Sequence, residues 1–228
     1  MRSQFLAILF MSMVFSWSRF AVAAPTVGDT YVYRVTNAYN NESRGQVTYR
    51  VDKADSDQVT VSVTPDQPSL GLPYTNVSTR DGNWLRHPLI NHDAPVEYTF
   101  SPAYPAYMTP LDTGKSWSTR VRATNPNSAR NNSVRVDGEV LGTERIRTPA
   151  GAFDTIKVKR RVYAGDWDTF ISETSIVETD WYAPALGRPV RTERNSSYLN
   201  PQQCGASSSC TPVRGDWNLI ELVSYSQK

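Results

Sequence analysis

The segment Thr148-Pro149-Ala150-Gly151-Ala152-Phe153 opens a long ribbon that closes with Trp181-Tyr182-Ala183-Pro184-Ala185-Leu186-Gly187. Pro149 fixes φ and withholds an N–H, and Gly151 admits backbone angles closed to other residues, so together they make a corner that breaks a strand. Past the corner, Ile156 and Val158 alternate with Lys157 and Lys159. That is the period of a strand with one dry and one wet face, and it predicts that Phe153 drops into the core while Ile156 and Val158 point inward. On the returning segment Ile171, Val177 and Trp181 fit one face, and Pro184 to Gly187 turns the chain back. The rest of the chain reads as sheet added to this ribbon.

The same period of two runs outward in both directions. Tyr31, Tyr33 and Val35, then Val47, Tyr49 and Val51, then Val59, Val61 and Val63 mark three half-buried strands. Turn formers at 37–45 and a polar link at 54–58 join them as a meander. In the second half, strands are predicted at 115–123, 133–147, 153–163, 169–183, 187–198 and 216–226, with Gly138 and Gly142 marking a bulge or a bend where the sheet curls. No stretch sustains a helical period, and 15 prolines are scattered along the chain, which excludes long helices. The expected fold is all-β: a long twisted antiparallel meander curling into a half-barrel or barrel-like sheet, because strands this long must curl or split to bury one face.

Composition divides the chain into a leader at 1–23, an N-terminal β unit at 24–64, a connector at 65–112 and a C-terminal meander at 113–228. The connector holds Pro65, Pro68, Pro73, Pro88, Pro95, Pro102, Pro105 and Pro110, with short strands predicted near 74–79 and 82–86 around an Arg80-Asp81-Gly82 turn. Its tyrosines and phenylalanine, Tyr98, Phe100, Tyr104 and Tyr107, cluster late in the segment and read as an aromatic cover packed on the sheet, or as a lip that contacts a ligand. The two β units echo one another. Val27-Gly28-Asp29-Thr30-Tyr31 before Arg34-Val35 recurs as Thr113-Gly114-Lys115-Ser116-Trp117 before Arg120-Val121, at identical spacing.

The leader sets the compartment. Arg2 precedes an apolar run from Phe5 to Phe15, far shorter than the roughly 20 residues of a membrane-spanning helix, which is the pattern of a signal peptide. Cleavage after Ala23 is favoured over cleavage after Ala24, because the latter would place Pro25 beside the scissile bond. The expected product is a soluble exported protein, periplasmic or secreted, without an integral membrane segment. Arg2 and Arg19 account for the whole excess of 24 basic over 22 acidic residues, so the remaining chain is neutral and gives no argument for nucleic acid as a partner. Cys204 and Cys210 are the only cysteines, and in an oxidising compartment they read as a disulfide closing a short loop, a constraint of about 2 kcal/mol.

The motifs TPAGAFDTIKVKRR at 148–161, ETDWYAPALGRPVR at 178–191 and IELVSY at 220–225, with the approach MTPLDTGKSW at 108–117, resemble a widespread group of exported bacterial domains of unknown function, the TapB-like family. The resemblance implies an antiparallel β fold, and it brings no catalytic residues.

Chemistry-bearing constellations are sparse. His87 and His92 with Asp93 lack the further ligands a metal site needs, and no Gly-x-Ser-x-Gly elbow occurs, so neither a metal nor another cofactor is called for. Asp166 and Asp168 flank Trp167 at a turn. Glu144 and Glu221 sit within strands among apolar neighbours, and each is expected to be satisfied by an arginine such as Arg160 rather than to act in catalysis. The functional expectation is a non-catalytic exported β domain that binds an apolar or glycan-like small molecule, or an envelope protein. A carboxylate-dependent hydrolase using Glu144, Glu221 or the Asp166/Asp168 pair, and a purely structural or assembly role, are the alternatives.

Overall fold

The structure is a computed structural model that describes residues 22–89, 96–127, 131–165, 172–203 and 210–228. Most of the leader, His92, Asp93, Asp166, Asp168, Ile171 and Cys204 lie outside the described residues. Twelve strands run in chain order: β1 (Thr30–Asn37), β2 (Glu42–Ala54), β3 (Gln58–Pro65), β4 (Tyr74–Thr79), β5 (Trp84–Pro88), β6 (Glu97–Tyr104), β7 (Ser116–Thr124), β8 (Asn131–Thr148), β9 (Gly151–Gly165), β10 (Ser172–Ala183), β11 (Arg188–Leu199) and β12 (Val213–Ser226). Each pairs antiparallel with the next, and β1 pairs with β12, so the meander closes into a barrel. Closure removes the unpaired edge that an open sheet of this size would expose.

The alternation along each strand sorts side chains to the two sides of the wall. On β9, Ile156, Val158, Val162 and Ala164 are buried, while Lys159 and Arg161 face water. On β7 and β8 the outward positions are Arg120, Arg122, Arg135, Asp137 and Glu139. A membrane barrel carries an apolar band on that side, and this one carries charge. Among the described residues no helix is long and apolar enough to cross a membrane.

The barrel interior is packed unevenly. One cluster, built from Tyr98, Phe100, Tyr104, Val121, Val134, Val136, Val140, Val158 and Val162, fills the side formed by β6 to β9. A second, with Tyr31, Tyr33, Val51, Val59, Leu186, Val190 and Leu222, lines the side of β1 to β3 and β11 to β12. Gly138 permits the tight packing of the first: its directly opposite partner is Trp117, and a Cβ added at 138 would overlap the indole.

The β8–β9 hairpin is longer than its neighbours and bends where the glycines predicted it. The register shifts between Val140 and Gly142, whose φ of +145° belongs to the region that favours glycine. At its tip Thr148 pairs with Gly151 around Pro149 and Ala150, and the Ala150 N–H donates to the Leu222 carbonyl at 3.2 Å. The corner therefore docks on β12. Phe153 is only partly buried, packed against the second cluster.

Candidate functional site

A buried ionic network crosses the interior. Strand parity turns Arg160 of β9 inward between Val158 and Val162, and turns Glu178 and Asp180 of β10 inward between Ile176 and Tyr182. The register sets Glu178 directly opposite Arg160. The Arg160 side chain is 2% exposed, and its Nη2 lies 2.7 Å from Asp180 Oδ2 and 3.1 Å from Glu178 Oε2. Its Nη1 donates to the Ala106 carbonyl at 3.0 Å. Arg194 of β11 reaches the other oxygen of Glu178 at 3.1 Å and donates to the Leu89 carbonyl. Asp180 also accepts from the Tyr107 and Thr192 hydroxyls, each at 2.6 Å. Two guanidiniums and two carboxylates thus neutralise one another away from bulk water, the condition under which buried charge is tolerated. Burial opposes the charge on Arg160, yet the Asp180 and Glu178 carboxylates more than offset it and hold the guanidinium well above its ordinary range. Burial, reinforced by Asp180, pushes the Tyr107 phenol well up, so it stays a donor.

Beside this network lies a cavity of about 220 Å³. Tyr31, Tyr33, Tyr49, Val59, Val61 and Ile220 give it an apolar wall, and Glu178, Asp180, Arg160 and Arg194 give it a charged one. Pro25, Arg80 and Arg188 stand among its lining residues where the chain ends and turns gather at one end of the barrel. His87 is part of the lining too. Its Nδ1 is 2.8 Å from Asn76 Oδ1, its ring stacks on Trp84 at 3.8 Å, and Trp84 stacks on Tyr104 at 4.4 Å. Burial first, and then the charges of Arg194 and Arg160, lower the His87 pKa to about 3. It is a neutral imidazole at physiological pH. With Asn76 Oδ1 as acceptor, Nδ1 carries the proton and Nε2 keeps an acceptor lone pair.

Arg188, the first residue of β11, is held by aromatics. Its guanidinium carbon lies 4.0 Å from the Tyr31 ring centre, 4.9 Å from Tyr49 and 5.1 Å from Tyr33. Its Nε donates to the Tyr33 hydroxyl at 2.7 Å, which donates in turn to the Pro189 carbonyl at 2.7 Å. Burial pushes the Tyr33 phenol well up, more than the nearby Arg188 charge lowers it.

The residues singled out in the sequence fall in different places. Tyr98, Phe100, Tyr104 and Tyr107 are all buried in the first cluster, and only Tyr107 also lines the cavity. Glu221 is satisfied as expected in kind but by other arginines, Arg191 at 2.8 Å and Arg34 at 3.3 Å. Glu144 accepts from the Trp181 indole and has Lys157 at 4.0 Å, on a side chain 44% exposed. Arg160 pairs with neither, because β9 turns it inward while Glu144 and Glu221 lie outside. Its partners are Glu178 and Asp180, on the face of β10 opposite to the one that Val177 and Trp181 mark as apolar in the sequence. Trp181 is 8% exposed yet shares its side of the strand with Lys157 and Arg191, both lying over its ring. Two faces of one strand are buried for different reasons, and sequence alternation alone does not say which looks into the barrel. Among the described residues no group of three His, Cys, Asp or Glu side chains could hold a metal ion.

The sequence matches the DUF3108-like family model over residues 26–198, so the chain belongs to the DUF3108-like family. No curated protein matches it. Two crystal structures resemble it throughout. A candidate exported protein with a YmcC-like fold from Bacteroides fragilis aligns with TM-score 0.56 and 20% identity over 91% of this chain and 99% of that one. A candidate lipoprotein from Parabacteroides distasonis aligns with TM-score 0.54 and 19% identity over 91% of this chain and 98% of that one. At such identity the likeness speaks for the fold alone.

Proposed function

We propose that this DUF3108-like chain is an exported, non-catalytic barrel that binds the apolar part of a small ligand in its interior, and that its narrower kinship is with the TapB-like group. The cavity carries the reading: about 220 Å³ beside an aromatic and aliphatic wall, in a barrel whose other side is packed solid. At roughly 30 Å³ per water this is the space of some seven waters, which suits a short alkyl or aromatic group better than a glycan chain. Absence of catalysis fits the engagement of Arg160, Glu178 and Asp180 with one another, which leaves no poised carboxylate among the described residues of the lining. Export agrees with the leader pattern and with the character assigned to the two similar structures.

Trp84 lines the cavity, so intrinsic fluorescence reports on occupancy. Decanol is expected to shift the emission saturably, and Val61→Trp, which fills the space, to lose most of that response while keeping the β-rich circular dichroism. A wild-type protein silent to alkyl, aromatic, glycan and peptidoglycan ligands alike would overturn the reading.

A further inference from the structure

We propose that the ligand is an anionic amphiphile, with a single carboxylate or phosphate head held by Arg188 and its tail in the cavity; this rests on the binding reading above. Among the described residues the lining contains four arginines, Arg80, Arg160, Arg188 and Arg194, against two acids, Glu178 and Asp180. Arg160 and Arg194 are spent on those two acids. The surplus positive charge is therefore Arg188 and Arg80. Neither has an ion-pair partner among the described residues.

Two further acids, Asp29 and Asp81, form no ion pair with either arginine. Asp29, which touches the Tyr31 hydroxyl at 3.4 Å, accepts from the backbone N–H groups of Thr26 and Lys228, each at 2.9 Å. Asp81, next to Arg80, is exposed, where water screens its charge. A chain of opposite strands rich in Glu and Asp could have placed a carboxylate against Arg188, and tyrosines stand there instead. Rings hold a guanidinium in place and strip part of its water without neutralising it. Only Nε of Arg188 is engaged, by the Tyr33 hydroxyl, and the two terminal nitrogens have no protein acceptor among the described residues. A guanidinium oriented in that way presents the fork that matches two oxygens of a carboxylate or phosphate. The alternative role, an arginine that merely caps a tyrosine cluster, predicts no preference for a charged ligand.

The two roles separate in a titration of the full chain, followed by fluorescence at pH 8, with decanoate, decyl phosphate, decanol and decyltrimethylammonium. Decanoate or decyl phosphate is expected to bind about tenfold or more tightly than decanol, with the cationic amphiphile weakest. Arg188→Gln should erase the preference of the anions over decanol, and Arg188→Lys should restore part of it. Arg145→Gln, an exposed outer-face control, should leave the preference intact. Whichever anion binds better identifies the head as carboxylate or phosphate. Equal binding of decanoate and decanol by the wild type, or an anion preference that survives in a folded Arg188→Gln protein, would overturn this inference and leave cavity binding standing. Failure of all four probes would overturn this inference too, and silence towards the aromatic, glycan and peptidoglycan ligands as well would remove cavity binding.

Discussion

The turns that open β1 and β7 are built alike and used differently. In the first, the Gly28 N–H donates to Val51 O at 2.8 Å, the Val51 N–H to Asp29 O at 2.9 Å, and the Asp29 N–H to Thr26 O at 3.0 Å. In the second, the Gly114 N–H donates to Val140 O at 2.8 Å, the Val140 N–H to Lys115 O at 2.8 Å, and the Lys115 N–H to Asp112 O at 3.0 Å. Both glycines sit at positive φ, +93° and +83°. The echo seen in the sequence is thus an echo of backbone structure. Beyond the turns the two strands diverge: Trp117 lies opposite Gly138 and packs over it, whereas Tyr31 lies opposite Tyr49 and shares Arg188 with it beside the cavity. A bare partner lets one aromatic fill its side of the barrel. A second ring as partner helps leave the other side hollow.

The largest effect is expected where the two sides meet. Arg160→Ala leaves Asp180 without an ion-pair partner and Glu178 with Arg194 alone in a buried site, and about 3–5 kcal/mol of stability should be lost in urea denaturation. A loss below about 1 kcal/mol would mean that water from the hollow side already solvates the pair, and the contrast between the two sides would blur. Next comes Gly138→Ala, which forces the Trp117 indole aside and should cost about 1–3 kcal/mol. Combining it with Trp117→Leu should recover part of that loss, since the two changes act on one contact. Additive losses would break the explanation of why this side is filled.

A comparable effect, confined to acid pH, concerns His87 in the lining of the hollow side. A folded-state His87 pKa of about 3, against an ordinary 6.5, means that the unfolded chain takes up the proton first as the pH falls. Above pH 6.5 the group is neutral in both states and has no effect; from there down towards pH 3 stability should decline. His87 faces the cavity rather than solid packing, so the loss by pH 4 is put at about 1–3 kcal/mol, measured as the difference in pH profile between wild type and His87→Phe. Coincident profiles would show that the cavity hydrates the ring fully.

Much of the wall was legible beforehand. The strand predicted at 153–163 is Gly151–Gly165, that at 216–226 is Val213–Ser226, and the connector hairpin at 74–79 and 82–86 is Tyr74–Thr79 with Trp84–Pro88. These elements depend on near neighbours in the chain: alternation, and the glycines and prolines that interrupt it. The site was much less legible. Its aromatic cluster was visible, but of its members only Tyr107 lines the cavity, and nothing in the local pattern sets Arg188, Arg194, Glu178 and Asp180 apart from the other charges of their strands.

The sequence by itself determined that this chain is an antiparallel β meander, where its strands other than β6 lie, and that its strand-opening turns recur. Only the tertiary structure decided that β1 meets β12 to close the barrel, which face of β10 looks inward, and that one side of the interior stays hollow. The reason is physical. Turn and strand preferences act over a few residues, whereas closure joins residues such as Arg34 and Glu221, 187 apart, and a cavity exists only in the space that many distant side chains together fail to fill.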